Sequence, residues 1–115
     1  MTEEGFGERI RRRRTELNLR LRGTAKNAGI SATFLSRIET GAEKAVPSED
    51  VIRKLARILE DDFDALMLLA GRIPSEVEAY VKSDPRLPEF LRQARDQNIK
   101  GEKLLEMLEK QKKDR

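Results

Sequence analysis

Apolar residues recur every three or four positions through the first seventy residues of the chain, with polar residues between them. This spacing is typical of short amphipathic helices that share one core, and it predicts five of them. Their expected spans are about 7–18, 21–28, 32–40, 47–59 and 61–70. Serine or aspartate stands at the start of the third, fourth and fifth helices, where capping residues are preferred. Glycine stands at three of the expected ends: Gly29, Gly41 and Gly71.

Prolines interrupt the pattern beyond Gly71 and divide the remaining chain into shorter helical segments, predicted at 75–82, 88–97 and 100–112. The last segment carries an apolar stripe of Leu104, Leu105 and Leu108, and such a helix would be marginal in water if it stood alone. We therefore predict an all-α protein with a five-helix domain over residues 1–71. A helical extension over residues 72–115 is a candidate for dimerisation or partner binding.

Histidine and cysteine are absent from the 115 residues. Their absence excludes disulfides, thiol catalysis, zinc fingers and the commonest general base. We expect no enzyme, no cofactor and no catalytic or metal site, and we interpret Asp61 and Asp62 as a helix start. No apolar run approaches the ~18 residues of a membrane span, and the first residues carry no export signal. The expected protein is cytoplasmic and does not contact membranes.

Positive charge is concentrated in the first half of the chain. Residues 1–57 carry 13 lysines and arginines against 8 acidic residues, whereas residues 58–71 carry 4 acidic residues and no basic ones. A basic first half suits contacts with the phosphates of a nucleic acid.

The stretch from Ala25 to Gly41 has the spacing of two helices joined by a tight turn. Ala25 is small where the helices would cross, and Gly29 permits the turn between them. Ile30, Leu35 and Ile38 are expected in the core. A helix with a polar outer face fits the major groove of DNA. The residues expected on that face are Ala32, Thr33, Ser36 and Arg37.

With these residues the chain resembles the phage-repressor and Cro type of helix-turn-helix protein, also called the xenobiotic-response-element family. The resemblance covers residues 6–70 and includes the order of the five helices. Its motif consists of Ala25, Gly29, Ile30-Ser31, Leu35-Ser36, Ile38-Glu39, Gly41 and Pro47. The resemblance implies a lambda-repressor-like fold and a sequence-specific regulator of transcription that binds double-stranded DNA. It further implies a homodimeric repressor that reads a palindromic operator with the helix over residues 32–40.

The resemblance also assigns roles to individual residues. It places base reading at Ala32, Thr33, Ser36 and Arg37, and phosphate contacts at Arg20, Arg22, Thr40, Gly41 and Lys44. In several relatives the positions of Arg14 and Glu39 form a buried ion pair. Four consecutive arginines, from Arg11 to Arg14, cannot share one helical face. The pair would explain why one turns inward, and we expect the other three on a solvated face.

Two positions of the second predicted helix depart from the family pattern. Leu21 stands where many relatives have a glutamine that clamps the DNA backbone. Gly23 and Thr24 stand where relatives often have a better helix former and leucine. A glycine inside a helix costs roughly 1 kcal/mol relative to alanine. Either this helix is less stable than usual, or one of its faces lies very close to a phosphate; the sequence leaves both open.

The sequence leaves the dimer interface and a second function open as well. The fifth predicted helix is apolar around much of its circumference, which makes dimer candidates of Phe63, Leu66, Met67 and Leu69. The extension is the alternative dimer interface. The alternative function is an antitoxin or interaction module that binds a protein partner through residues 72–115 while it regulates its own operon.

Overall fold

The computed structural model describes residues 3–42 and 46–114, and every element of regular structure within these ranges is an α-helix. None of the described helices is long and apolar enough to cross a membrane. In chain order the helices are α1 (Phe6–Glu16), α2 (Leu21–Ala28), α3 (Ala32–Thr40), α4 (Glu49–Ile58), α5 (Phe63–Leu69), α6 (Ser75–Lys82), α7 (Arg86–Asp96) and α8 (Gly101–Lys113).

Backbone contacts divide the chain into two compact units, Met1–Pro74 and Ser75–Arg115. The sequence predicts a slightly earlier boundary, after Gly71. Part of the difference lies at Arg72, whose Nη1 donates a hydrogen bond to the carbonyl oxygen of Pro47 at 2.9 Å. This bond ties the residue after Gly71 to the first unit.

Side-chain caps start three helices of the first unit where the sequence predicts them. Ser31 Oγ accepts a hydrogen bond from the Phe34 amide at 3.0 Å and so starts α3. Ser48 starts α4 and Asp62 starts α5 in the same way. Each cap satisfies an amide that has no partner inside its helix, so the start is specified within three residues of sequence.

Several helices end in a left-handed residue followed by a hydrogen bond that spans the last turn. After α2, Gly29 has φ 76° and the Ile30 amide donates to the Ala25 carbonyl at 3.0 Å. After α1, Asn18 has φ 56° and the Leu19 amide donates to the Arg14 carbonyl at 2.9 Å. This closure ends α1 at Glu16, earlier than predicted. The same geometry follows α4, α5 and α7.

α7 begins at Arg86, two positions before the predicted start at Pro88. A carboxylate oxygen of Asp84 accepts a hydrogen bond from the Arg86 amide at 2.9 Å. Proline fits in the first helical turn because amides there need no intrahelical partner. Pro88 therefore lies inside α7 and does not start it.

The five helices of the first unit share one core. Its fully enclosed larger side chains are Ile10, Leu35, Ile52, Leu55, Leu59, Leu66 and Met67. Leu66 and Met67 were predicted as dimer candidates, and this part of the prediction is wrong, because α5 packs both side chains into the core of their own chain. Phe63 and Leu69 are only partly buried, so their role in a dimer stays a prediction.

The second unit has little enclosed apolar surface. Among its described residues only Ala94 is buried. α7 and α8 line an open groove whose apolar residues include Phe90, Ile99, Leu104 and Met107. The large apolar side chains exposed in this unit are Val77, Tyr80, Phe90, Leu91, Leu105, Met107 and Leu108. A surface of this kind is typical of a segment that packs against another chain.

Candidate nucleic-acid interface

α3 is held by the core on one side and exposed on the other. Leu35 and Ile38 are buried, whereas Thr33, Arg37 and Thr40 are exposed. Ser36 is partly exposed, and Gly41 is exposed at the end of the helix. The structure thus places most of the predicted base-reading residues on one outer face, together with Thr40.

Ala32 and Lys44 differ from the other predicted contact residues. Ala32 is partly buried and packs against the core, so less of its methyl group is available than the sequence predicts. Lys44 lies outside the described residues, so its phosphate contact stays a prediction.

An ion pair joins α1 to the inner side of α3. Arg14 Nε lies 2.7 Å from Glu39 Oε2 and Arg14 Nη2 lies 2.8 Å from Glu39 Oε1. Arg14 Nη1 donates a third hydrogen bond, to the Leu19 carbonyl oxygen at 2.9 Å. The exposed fraction of the side chain is 16% for Arg14 and 4% for Glu39. The hydrogen bond with Glu39 raises the pKa of Arg14. Arg14 is therefore the arginine of the run that turns inward.

Gly7 makes a second contact between α1 and α3. A β-carbon built on Gly7 would overlap the carbonyl oxygen of Ile38 and would lie 3.3 Å from the Cα of Glu39. The two helices therefore meet backbone to backbone at this point. This role was not predicted from the sequence; the available signal was a glycine in the first turn of a helix, where glycine is a poor helix former.

α1 also forms a long-range ion pair that the sequence analysis missed. Arg9 Nε lies 2.8 Å from Asp61 Oδ2 and Arg9 Nη2 lies 2.7 Å from Asp61 Oδ1. The hydrogen bond from Arg9 lowers the pKa of Asp61. The sequence predicts Asp61 as part of a helix start, but Asp62 caps α5, and Asp61 anchors α1 to the loop before α5.

Arg13 departs from the predicted solvated face of α1, because its Nη2 donates a hydrogen bond to the Leu59 carbonyl oxygen at 2.9 Å.

The surface of α2 and α3 carries positive charge that no carboxylate among the described residues neutralises. Between Leu17 and Ala42 the sequence has one acidic residue, Glu39, and Arg14 already occupies it. The four cations of this segment, which form no ion pair with any residue that the structure describes, are Arg20, Arg22, Lys26 and Arg37. By contrast, the arginines of α1 at positions 9, 12, 13 and 14 all have carboxylate partners. An unneutralised basic surface of this kind attracts a polyanion.

Comparison with known proteins identifies the family. Residues 6–66 match the family model described as a helix-turn-helix domain. This chain belongs to the helix-turn-helix family of transcriptional regulators. It is 36% identical to the HTH-type transcriptional repressor RghR of Bacillus subtilis (strain 168) over 103 residues, which cover 90% of this chain and 75% of that relative. It is 35% identical over 75 residues to the uncharacterized HTH-type transcriptional regulator RghRB of the same strain, covering 63% of this chain and 53% of the relative.

Two solved structures share the helical fold of this chain. The P22 c2 repressor protein, in complex with a synthetic operator, matches with a TM-score of 0.50 and 30% identity over 56% of this chain and 94% of its own. A complex of the SinR and SinI proteins matches in fold alone, with a TM-score of 0.50 and 24% identity over 93% of this chain and 94% of that one. The two solved structures confirm the all-α, lambda-repressor-like fold, and the family model and the curated relatives confirm a transcriptional regulator of the helix-turn-helix family rather than an enzyme.

Proposed function

We propose that this helix-turn-helix protein reads a specific operator with α3 placed in the major groove of double-stranded DNA. The observation that carries the proposal is the surface shared by α2 and α3. It combines cations that have no carboxylate partner among the described residues with exposed polar side chains of α3, including Thr33 and Arg37. The P22 c2 repressor, which was solved on a synthetic operator, supports this use of the fold.

Base reading is assigned to the outer face of α3. Arg37 is its long donor and suits bidentate contact with O6 and N7 of a guanine, while the methyl groups of Ala32 and Thr33 suit a thymine methyl. Ser36 is small and can donate or accept a hydrogen bond. The proposed phosphate contacts, which set the register on the duplex without reading sequence, are Arg20, Arg22, Thr40, Gly41 and Lys44.

Two substitutions test these assignments of base reading and phosphate contact. Arg37→Ala should weaken binding to the preferred sequence by about 1–3 kcal/mol and leave a scrambled duplex nearly unaffected. Arg22→Ala should weaken binding to both duplexes to the same extent, because a phosphate contact carries no sequence information. Fluorescence anisotropy measures both, with a preferred duplex selected by the wild-type protein from random DNA. A wild-type protein that prefers no sequence at modest salt would refute operator reading.

We further propose that the repressor acts in the cytoplasm as a homodimer on a palindromic operator. Two copies of α3 would then enter major grooves about one helical turn apart, roughly 34 Å. The exposed apolar residues of the second unit favour the extension as the dimer interface, since Leu66 and Met67 are enclosed in the first unit. Phe63 is also less available, because the guanidinium carbon of Arg53 lies 4.1 Å from the centroid of its ring.

A second candidate function, an antitoxin or interaction module, rests on the same apolar surface of residues 72–115. Lysine substitutions of Leu105 and Leu108, which are 65% and 66% exposed, distinguish the two candidates. Loss of the dimer in sedimentation velocity, with weaker operator binding, would assign the extension to self-association. An unchanged dimer with unchanged operator binding would assign this surface to a different protein partner. Lys103→Leu serves as a control on an exposed position of the same helix.

A further inference from the structure

α1 sets the position of α3 through a contact that only glycine allows. Gly7 lies in the first turn of α1, in right-handed helical backbone that any residue adopts. Glycine is therefore not required there for conformation, and it is a poor helix former. It is required for space, because a β-carbon would overlap the carbonyl oxygen of Ile38.

The second contact lies about two helical turns further along α1. Arg14 holds Glu39 with two hydrogen bonds of 2.7 and 2.8 Å. Ile38 and Glu39 are consecutive residues in the last turn of α3, so both contacts act on the same short piece of backbone. Arg37 is the residue immediately before them. The backbone from which the Arg37 side chain projects is therefore fixed against α1 at two points.

We propose that Gly7 is a positioning residue for operator reading, because the absence of its β-carbon sets how far α3 projects from the domain. This inference rests on the proposed function of α3. A carbon atom approaches a carbonyl oxygen to about 3.3 Å at closest, so a methyl group at Gly7 displaces α3 by a distance on the order of 1 Å. Bidentate hydrogen bonds fail at such displacements, since their donor–acceptor distances span only about 2.7–3.2 Å.

The phosphate contacts respond differently to the same displacement. Of the proposed phosphate contacts, Thr40 and Gly41 lie at the end of α3 and move with it. Arg20 and Arg22 lie at the start of α2 and have long, flexible side chains, whose attraction to phosphate does not depend on a fixed bond geometry. A displaced α3 should therefore lose preference for its sequence while the protein retains general affinity for DNA.

The experiment is Gly7→Ala in the full chain. Anisotropy titrations use the duplex selected by the wild-type protein from random DNA and a scrambled duplex of equal length. We expect the variant to bind the selected duplex about 10- to 100-fold more weakly, the effect of losing one bidentate base contact. Binding to the scrambled duplex should stay within about twofold of wild type. The thermal unfolding of the variant should remain cooperative at a lower midpoint.

Two control variants separate positioning from general effects. Gly23→Ala makes the same chemical change where a β-carbon meets nothing within 4 Å, and it should leave the ratio of the two affinities unchanged. Ile10→Val lowers stability from inside the core, where Ile10 is 0% exposed, without adding an atom against α3. Its affinity ratio should also match wild type, which shows that a lower melting temperature alone does not relax specificity.

Two results would overturn the proposal. The first is a folded Gly7→Ala variant whose affinity ratio equals that of wild type. The second is a variant that stays unfolded even in trimethylamine N-oxide, because the contact would then serve the fold as a whole. A wild-type protein without sequence preference would instead refute the proposed function. In that case the amide chemical shifts of the Gly7→Ala variant test whether the added methyl group displaces α3. Shift changes through Ala32–Gly41 support the displacement, and shift changes confined to α1 refute it.

Discussion

Thr24 carries a buried hydroxyl on α2 that finds no hydrogen-bond partner among the residues that the structure describes. The residue is 3% exposed. A buried hydroxyl without a partner costs about 1–3 kcal/mol, whereas an apolar group of the same shape does not. The sequence leaves two explanations open for the unusual residues of α2: a less stable helix, or a face that lies very close to a phosphate. The buried hydroxyl of Thr24 supports the first, because it destabilises the helix.

We predict that Thr24→Val increases the free energy of unfolding by about 1 kcal/mol, because it replaces the buried hydroxyl with a methyl group of similar size. Urea denaturation followed by circular dichroism measures the change. Thr15→Val is the matched control: Thr15 is exposed and its Oγ1 donates to the Arg11 carbonyl oxygen at 2.7 Å. It should bring no gain in stability. A less stable Thr24→Val protein would contradict the prediction.

Residues that act through distant partners leave little trace in the sequence. Ser31 and Gly29 were predictable because a cap and a left-handed stop act on neighbours within a few positions. Arg9 and Asp61 were not, because 52 positions separate them and neither is unusual in its own segment. Gly7 was not predictable either, since its reason is the backbone of α3. Arg14 and Glu39 were expected only through a family resemblance.

α2 and α3 have the bounds that the sequence predicts, and the reason lies in their terminal residues. Ser31, Gly29 and Gly41 all lie at the ends of these two helices. α7 was predicted too late because Pro88 was taken as the first residue. Asp84, which supplies the hydrogen bond at the actual start, lies outside the predicted segment. Helix ends are thus predictable where the capping residue is adjacent.

The ion pair between Arg14 of α1 and Glu39 of α3 supports a prediction about stability. Arg14→Met keeps most of the aliphatic side chain but leaves the Glu39 carboxylate, 4% exposed, without its cation. We expect the free energy of unfolding to fall by about 3–5 kcal/mol, the usual cost of an unpaired buried charge. Urea denaturation measures it. Arg12→Met is the control, because its partners Glu4 and Glu16 are more exposed, and such pairs contribute at most about 1 kcal/mol. Equal losses in both variants would refute the role of burial.

Charge is distributed unevenly over the first unit as a whole. Carboxylates bind Arg9, Arg12, Arg13 and Arg14 of α1, whereas the cations of α2 and α3 have none among the described residues. Because these carboxylates are paired with arginines, the free energy of unfolding of the unit depends on pH. Arg9 lowers the pKa of Asp61 in the folded protein through its hydrogen bonds, so the folded pKa lies below the unfolded value.

A depressed carboxylate pKa sets the direction of the pH dependence. The stabilisation by Asp61 is complete above its unfolded pKa, about 4, and it disappears as the pH falls through the lower folded value. We predict that the urea midpoint of the wild-type protein falls below pH 4. Asp61→Asn should have a lower midpoint at pH 7 and a smaller further loss at pH 3. Glu109→Gln, on exposed α8, controls for net charge and should follow wild type. Parallel curves for Asp61→Asn and wild type would contradict the prediction.

The left-handed residues that end the helices bear on how quickly the protein folds. Each closing bond joins residues only five positions apart, as between Ile30 and Ala25, and the helices that pack most closely are adjacent or separated by one helix along the chain. Small helical proteins with mainly local contacts fold in microseconds to milliseconds. Synthesis adds about 5–20 residues per second, so each added residue takes longer than such folding. Folding of the first unit therefore keeps pace with synthesis, and assembly of the proposed dimer is the step that can delay DNA binding.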